Sequence, residues 1–536
     1  MVNGQGPVDA VLVGYDNAEN LGLRSILAYL QTRGQTAVLL AFRPGDDARI
    51  LQAVLRWRPR LVGFSLIFQH TLDEFGRLMR HLREGRVAAH FTAGGHFPSL
   101  RPEQALELLP ELDSIVRFEG ELTLSELLER LDCPARWEEI QGLAFRRDRG
   151  VVLTPPRPLI CDLDSLPPVW RDEPQRLGCG VKVASMLASR GCLFNCSFCS
   201  IRQFYGSPSG PLRRVRAPRA VVDEMLALFA QRDVRFFSFQ DDDFAARTVQ
   251  QRAWLHEFMR ALAEAGLAER VRWKISCRVD DLDAEMLEAL QRHGLAAVYL
   301  GVESGSEAGL RALNKQVSVA QNLVAVELLK RCGVAMSMGF MLFDPSSTME
   351  TIAENLDFLE AVGADGYFPI TFCKMLPYAG TPIEAELHEA GRLEGPATAP
   401  DYRFDDPQVD WYEFLVKRVF TRRNFRPDGN VARLQAADFD CRVARAFGDY
   451  EVSESNCGSL QGLIGRSNAL AVETLRSLRH ELLSHGIDYL LEEEQTLVAL
   501  AEREWRGEAA IDVELARLGQ FQPMPPTSMM VHHDRS

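Results

Sequence analysis

The sequence predicts an α/β protein in three parts: a doubly wound parallel sheet, a partial (β/α)6 barrel, and a mainly helical C-terminal region. Three observations carry this. Short apolar runs alternate with helical periodicity up to residue 135, the same alternation returns between 185 and 400, and beyond 400 only helical periodicity remains. A hydrophobic fraction of 46% and a charged fraction of 25% are those of an ordinary globular protein, with room for several domains in 536 residues. The formal charge of −14 argues against a nucleic-acid groove as the main partner. No apolar run approaches the ~20 residues of a membrane span, and nothing at the N-terminus reads as a secretory signal. Cytoplasmic residence is the expectation.

Strands are expected at 8–14, 36–41, 61–65, 88–93 and 114–117, each followed by a helix, at 21–33, 49–56, 72–82, 102–109 and 121–131. Ligands of such sheets sit beyond the carboxyl ends of the strands. Three ends carry small or polar residues: Gly63 to Leu66, Gly94-Gly95-His96, and Phe118 to Glu121. Glycines there either make turns or let a backbone approach a bulky ligand, and Ser65 can donate or accept a hydrogen bond. Residues 136–184 read as a connector, with a hairpin at 140–147 and 150–154 and then Pro155, Pro156, Pro158, Pro167, Pro168 and Pro174, which exclude regular structure.

The chemistry concentrates between Ser189 and Cys199, where Cys192, Cys196 and Cys199 follow a C-x3-C-x2-C spacing. Thiolates are soft ligands, and three from one short loop suit an iron-sulfur cluster. A cubane takes four, so one iron stays open to a small molecule. With 11 cysteines in the chain, chance would produce such a triple in on the order of one chain in two hundred. A structural zinc needs a fourth ligand, and no second pair follows at finger-like distance. Disulfides are not expected, because the other cysteines are scattered singly.

Beyond this loop, helices are expected at 222–229, 250–265, 284–294, 318–332 and 348–362, alternating with strands at 234–239, 272–277, 297–301, 335–343 and 367–372. Catalytic groups of such barrels stand at the carboxyl ends of the strands. Asp241, Asp242 and Asp243 close one strand, either as a solvated helix cap or as acceptors for a cation. Arg278 closes the next, suited to holding a carboxylate bidentately. Glu303 closes another, either an acceptor for a diol or a buried carboxylate paired with a core cation.

The cysteine spacing resembles the signature of the radical S-adenosylmethionine (SAM) enzymes, whose three thiolates hold a 4Fe-4S cluster and whose open iron chelates SAM. A doubly wound domain with this Ser-Leu and Gly-Gly pattern, directly before such a core, resembles the cobalamin-dependent members. The resemblance runs from about residue 5 to 395 and includes a closing Pro-x-x-Gly-Thr-Pro element at Pro377 to Pro382, in which Tyr378 reads as a turn residue. It implies a Rossmann-like cobalamin domain at 1–135, a radical SAM partial barrel of the TIM type at 185–400, and a helical region at 401–536. It further implies Cys192, Cys196 and Cys199 as cluster ligands, and Ser65, Gly94 and Gly95 as contacts of the cobalamin tail. Asp241 or Asp242 would meet the SAM amino group, Arg278 a cofactor carboxylate, and Glu303 the ribose hydroxyls, with Gly339 to Phe343 under the adenine.

One departure from the cobalamin mutases and methionine synthase is informative. Their Asp-x-His-x-x-Gly loop after the first strand gives cobalt a His ligand, whereas Tyr15 to Gly22 here contains no His. Cobalt is expected to lack that ligand. His70 and His96 stay open as alternatives, His96 also reading as a polar loop residue. The implied activity is methylation of an unactivated carbon of a small-molecule, specialised-metabolite substrate, using a 5'-deoxyadenosyl radical from one SAM and methylcobalamin renewed from another. The alternatives are a non-methylating oxidation, cyclisation or rearrangement, and a cofactor-bearing sensor that does not cleave SAM. A reducing partner such as flavodoxin or ferredoxin is expected, and no nucleic acid or membrane. No side chain is assigned as catalytic in its own right. The C-terminal region, with helical periodicity at 409–422 and 460–520, solvated charge at Glu492 to Glu494 and a disordered tail from Phe521, is expected to shape the substrate site.

Overall fold

The computed structural model describes residues 6–148, 150–245, 248–426, 428–448, 454–492 and 494–518. Packing divides the chain into two units. One is Met1–Asp172, Ser189–Arg216 and Leu376–Asp401; the other is Glu173–Ala188, Ala217–Met375 and Tyr402–Ser536.

The first unit is built on a seven-stranded sheet of β1 (Ala10–Tyr15), β2 (Ala37–Phe42), β3 (Leu61–Ser65), β4 (His90–Gly94), β5 (Ser114–Val116), β6 (Leu143–Arg147) and β7 (Gly150–Leu153), in the order β2-β1-β3-β4-β5-β6-β7. The first five strands are parallel, and β6 and β7 are antiparallel additions. Period-two alternation of apolar residues makes this sheet two-faced. Val11, Val13, Val62, Phe64 and Phe91 face one core with Leu78, Met79 and Leu82, while Ala10, Leu12, Leu61 and Val116 face a second with Leu23, Leu27, Leu124 and Leu127. All five expected helices form, at Leu21–Thr32, Asp47–Trp57, Leu72–Glu84, Pro102–Leu108 and Gly120–Glu129, together with a short helix His96–Leu100 that the periodicity does not mark. The hairpin expected in the connector extends this sheet. Leu143 and Phe145 join the second core beside Trp137 and Ile140, and pairing of β6 with β5 removes an open edge.

The second unit holds an open sheet of β8 (Gln175–Arg176), β9 (Lys182–Met186), β10 (Phe236–Phe239), β11 (Arg272–Arg278), β12 (Leu295–Glu303), β13 (Ala335–Phe343) and β14 (Cys373–Lys374). From β9 to β14 all six strands are parallel, and β8 runs antiparallel at the edge. Four of the helices between them start at side-chain caps, on Thr248, Asp283, Ser318 and Thr348. Thr248, not the Asp241 to Asp243 run, therefore caps the helix that follows β10.

Three expectations are corrected. No strand forms at 367–372, because side chains of later helices take its backbone groups: Asn468 accepts from Ile370 N and donates to Phe368 O, Arg423 donates to Ile370 O, and Asn424 to Phe372 O. A helix at Asn430–Phe447 was not anticipated between the others, at Pro407–Asn424, Glu454–Glu492 and Glu494–Arg517. Cys441 and Cys457 form a disulfide, with Cα atoms 6.4 Å apart, against the expectation of none. The tail from Phe521 and the environment of Glu492 to Glu494 lie outside the described residues. Among the described residues no helix is long and apolar enough to cross a membrane.

Candidate active site

The cysteine loop is closed at its base by a two-stranded ribbon in which Ser189–Arg190 pairs antiparallel with Arg214–Val215. Gly191 follows with φ of 85°, and a Cβ there would fall 1.9 Å from Leu212 O, so only glycine allows this turn into the loop. Cys196 is buried, Cys192 and Cys199 are half-buried, and none of the three is in a disulfide. Cys199 N donates to Cys196 O at 3.2 Å. Among the described residues no group of three His, Cys, Asp or Glu side chains is gathered for a single metal ion. Three thiols outside any disulfide, on one short loop, are the soft donors that an iron-sulfur cluster takes. The donor set and its loop thus fit a three-cysteine cluster.

The base of this loop is anchored to the carboxyl end of β5. Arg190 donates to Glu119 Oε1 at 2.9 Å, to Glu121 Oε1 at 2.7 Å and to Ser25 Oγ at 3.2 Å. Arg214 donates to both oxygens of Glu119 at 2.9 Å and to Ile160 O at 2.9 Å. All four charged side chains are largely buried. Burial acts against ionisation of Glu121, but the Arg190 charge and its hydrogen bond outweigh it and hold the carboxyl below its usual value. Pattern reading missed this clamp, seeing Glu119 and Glu121 only as strand-end residues.

The strand-end residues expected to meet cobalamin lie together in the same unit. Ser65 pairs in register with Gly94, and both are half-buried, as is Gly95. Gly95 has φ of 120°, and a Cβ there would fall 2.3 Å from Leu66 O. Its lack of a side chain therefore has a local cause as well. Small, half-exposed residues at adjacent strand ends fit the approach of a large cofactor tail. His96 follows directly: its Nδ1 stands 3.0 Å from Ser200 Oγ, and its ring stacks on Phe204 with centroids 4.4 Å apart. His70 is exposed and stacks on Phe68, which packs in turn against Tyr378. The loop after β1, lacking histidine, is closed by Asn20, whose side chain donates to Tyr15 O at 2.7 Å.

In the second unit the expected SAM contacts have these positions. Asp241 is buried and accepts from Ala188 N at 3.1 Å, Asp242 is exposed, and Asp243 is buried. Arg278 donates to Asp280 Oδ1 at 2.9 Å and to Lys315 O at 2.6 Å. Glu303 receives Lys315 Nζ at 3.0 Å and has a left-handed φ of 69° at a register shift between β12 and β13. A bulged, positive-φ carboxylate is a costly conformation, of the kind found at functional sites. Burial raises the pKa of Asp281, against the lowering effect of its hydrogen bonds with Arg278 N and Asp243. Sequence reasoning missed Lys315 and Asp281; both are buried charges that pattern alone reads as surface.

Lys274 is another buried charge. Trp273 and Ile275 pack in the core, so Lys274 points to the opposite face of β11, in register with Ser238 and Ser185 of neighbouring strands. Burial lowers its amine to about 8.

Comparison with known proteins agrees with this geometry. A model of the B12 binding domain matches residues 8–128, and one of the radical SAM superfamily matches 186–359. The chain is 27% identical over 426 residues to the anaerobic magnesium-protoporphyrin IX monomethyl ester cyclase of Rubrivivax gelatinosus, covering 75% of each protein. It is 25% identical over 453 residues to the cytidylyl-2-hydroxyethylphosphonate methyltransferase of Streptomyces wedmorensis, covering 75% of this chain and 79% of that one. The fold superposes on the cobalamin-dependent SAM radical enzyme OxsB, with aqua-cobalamin and SAM bound, with a TM-score of 0.70 at 16% identity over 95% of this chain and 80% of that one. A Rossmann-like B12-binding domain followed by a radical SAM core, with a 4Fe-4S cluster, SAM and cobalamin as cofactors, makes the chain a cobalamin-dependent member of the radical SAM superfamily.

Proposed function

We propose that this enzyme methylates an unactivated carbon of a small-molecule, specialised-metabolite substrate. The observation that carries the reading is that the three-cysteine loop is clamped, through Arg190 and Arg214, to the strand ends of the B12-binding domain. When bound, the cluster supplies the electron for SAM cleavage and the corrinoid carries a methyl group. In this reading Cys192, Cys196 and Cys199 hold the cluster. Ser65, Gly94 and Gly95 receive the cobalamin tail, with no histidine offered by the loop after β1. Asp241 or Asp242, Arg278 and Glu303 orient SAM, Glu303 by accepting from the ribose hydroxyls while Lys315 neutralises it. The electron comes from a reducing protein such as a flavodoxin or ferredoxin. The similarity to the phosphonate methyltransferase supports methyl transfer.

A second reading has a specific basis as well: the similarity to a cyclase over three quarters of both chains favours a reaction that ends without methyl addition. Incubation with methyl-labelled SAM separates the two. Label in a product formed together with 5'-deoxyadenosine is the expected result, and an unlabelled product formed with 5'-deoxyadenosine excludes methylation.

A further inference from the structure

His96 lies between two cofactor positions, and its contacts tie them together. On its N-terminal side are Gly94 and Gly95. Their peptides are fixed from several directions: Gly94 O accepts from Leu66 N at 2.7 Å, Gly95 is wedged against Leu66 O, and Phe97 N donates to Ile67 O at 3.2 Å. That corner has little freedom to move apart from the end of β3. On its other side the imidazole meets the cysteine loop. Its Nδ1 shares a 3.0 Å hydrogen bond with Ser200 Oγ, and Ser200 directly follows Cys199. The ring stacks on Phe204 at 4.4 Å and 21° between planes. Phe204 also packs edge-on against Phe118 at 5.5 Å, and Phe118 holds a left-handed φ of 65° at the end of β5. A bulky residue accepts that conformation only where its surroundings impose it. Ser200 O accepts from Phe204 N at 2.9 Å, so the hydrogen-bonding and stacking partners of His96 belong to one turn of helix.

We infer that His96 is a positioning residue that couples cobalamin binding to cluster binding. The inference rests on the reading that cobalamin meets Gly94 and Gly95 and that Cys199 is a cluster ligand. A molecule resting on Gly94 and Gly95 restricts the peptide that carries His96. The imidazole in turn restricts Ser200, and with it the backbone of Cys199. A formed cluster acts along the same path in reverse. Because coupling between two binding equilibria is reciprocal, each cofactor must tighten the other by the same factor, and a factor on the order of ten is expected for a path this short.

The test uses the full chain under anaerobic conditions with hydroxocobalamin as the probe. Its dissociation constant is measured on iron-free protein and on protein reconstituted with iron and sulfide, and cluster loss to an iron chelator is followed with and without hydroxocobalamin. Wild type should bind hydroxocobalamin about tenfold more tightly when the cluster is present, and should keep its cluster longer when hydroxocobalamin is present. In His96→Ala the ratio of the two dissociation constants should fall toward one. Ser200→Ala and Phe204→Leu, which remove the hydrogen bond and the stacking contact respectively, should give intermediate ratios, and they carry the test if His96→Ala does not fold. A wild-type ratio of one, or a ratio unchanged in all three variants, overturns the coupling while leaving the cofactor assignments intact. Failure of wild type to bind hydroxocobalamin or a cluster at all would instead overturn the reading on which the inference rests.

Discussion

Serine at any one of Cys192, Cys196 or Cys199 is expected to remove the 4Fe-4S cluster and, with it, reductive cleavage of SAM. The substitution is nearly isosteric, so the fold should survive, but an alkoxide-forming oxygen is a hard donor where iron and sulfide call for a soft one. Loss of an outer contact to a bound metal typically costs about 10- to 100-fold, and loss of a direct ligand should exceed that. The effect should differ from that of cysteines elsewhere: Cys161→Ser, at an exposed position outside the loop, should keep both the cluster and the reaction. Iron and sulfide content, the visible absorption of the oxidised cluster and the paramagnetic signal of the reduced one are the measurements, alongside production of 5'-deoxyadenosine. A serine variant at 192, 196 or 199 with wild-type iron content and turnover would remove the basis for assigning this loop to the cluster.

Those three cysteines were legible because their meaning is local: spacing within one short loop states the ligand set. Strand and helix positions in both sheets were legible for the same reason, since apolar period is a property of consecutive residues. The clamp that holds the loop was not. Arg190 lies 71 residues from Glu119 and 69 from Glu121, and Arg214 lies 95 from Glu119. Nothing in the neighbourhood of any of them marks the partner. The missing strand at 367–372 is a related case. Its residues have the apolar character of a strand, and the side chains that claim its backbone, Arg423, Asn424 and Asn468, come from helices more than fifty residues later. The Cys441–Cys457 disulfide rests on the packing of two helices, which single cysteines do not announce. The helix Asn430–Phe447 is different, because Val431, Leu434, Ala437, Cys441 and Ala444 lie at helical spacing and are all buried. That signal was present and was passed over.

Replacing Arg190 by Gln is expected to destabilise the first unit by about 3 to 5 kcal/mol, the usual cost of removing one member of a buried charged network. Burial opposes the guanidinium charge, and Glu121 and Glu119 more than offset this, so the pKa of Arg190 is raised and its charge is secure. Without it, Glu119 keeps Arg214, but Glu121, whose other side-chain partner is Ser25, is left as a buried charge facing no cation. The defect is therefore electrostatic and should be repaired in part from the other side. Glu121→Gln in the Arg190→Gln background should recover part of the lost stability, while Glu121→Gln alone should cost stability. The dependence on pH has a definite sign. In wild type the folded-state pKa of Glu121 is depressed, so its contribution is present above the ordinary glutamate range and is lost as pH falls through the folded value. In the Arg190→Gln variant burial of Glu121 is opposed only by its hydrogen bonds to Ser25 and to the backbone, so the carboxyl should move upward, and the stability gap should be widest near neutrality and narrow as pH falls. Denaturant midpoints of the four proteins at pH 7 and pH 5 give the whole cycle. A variant with the wild-type midpoint at pH 7, or a double variant no more stable than Arg190→Gln, would show that the loop is held by its turn and ribbon alone, and that the arginine contributes nothing to placing the cysteines.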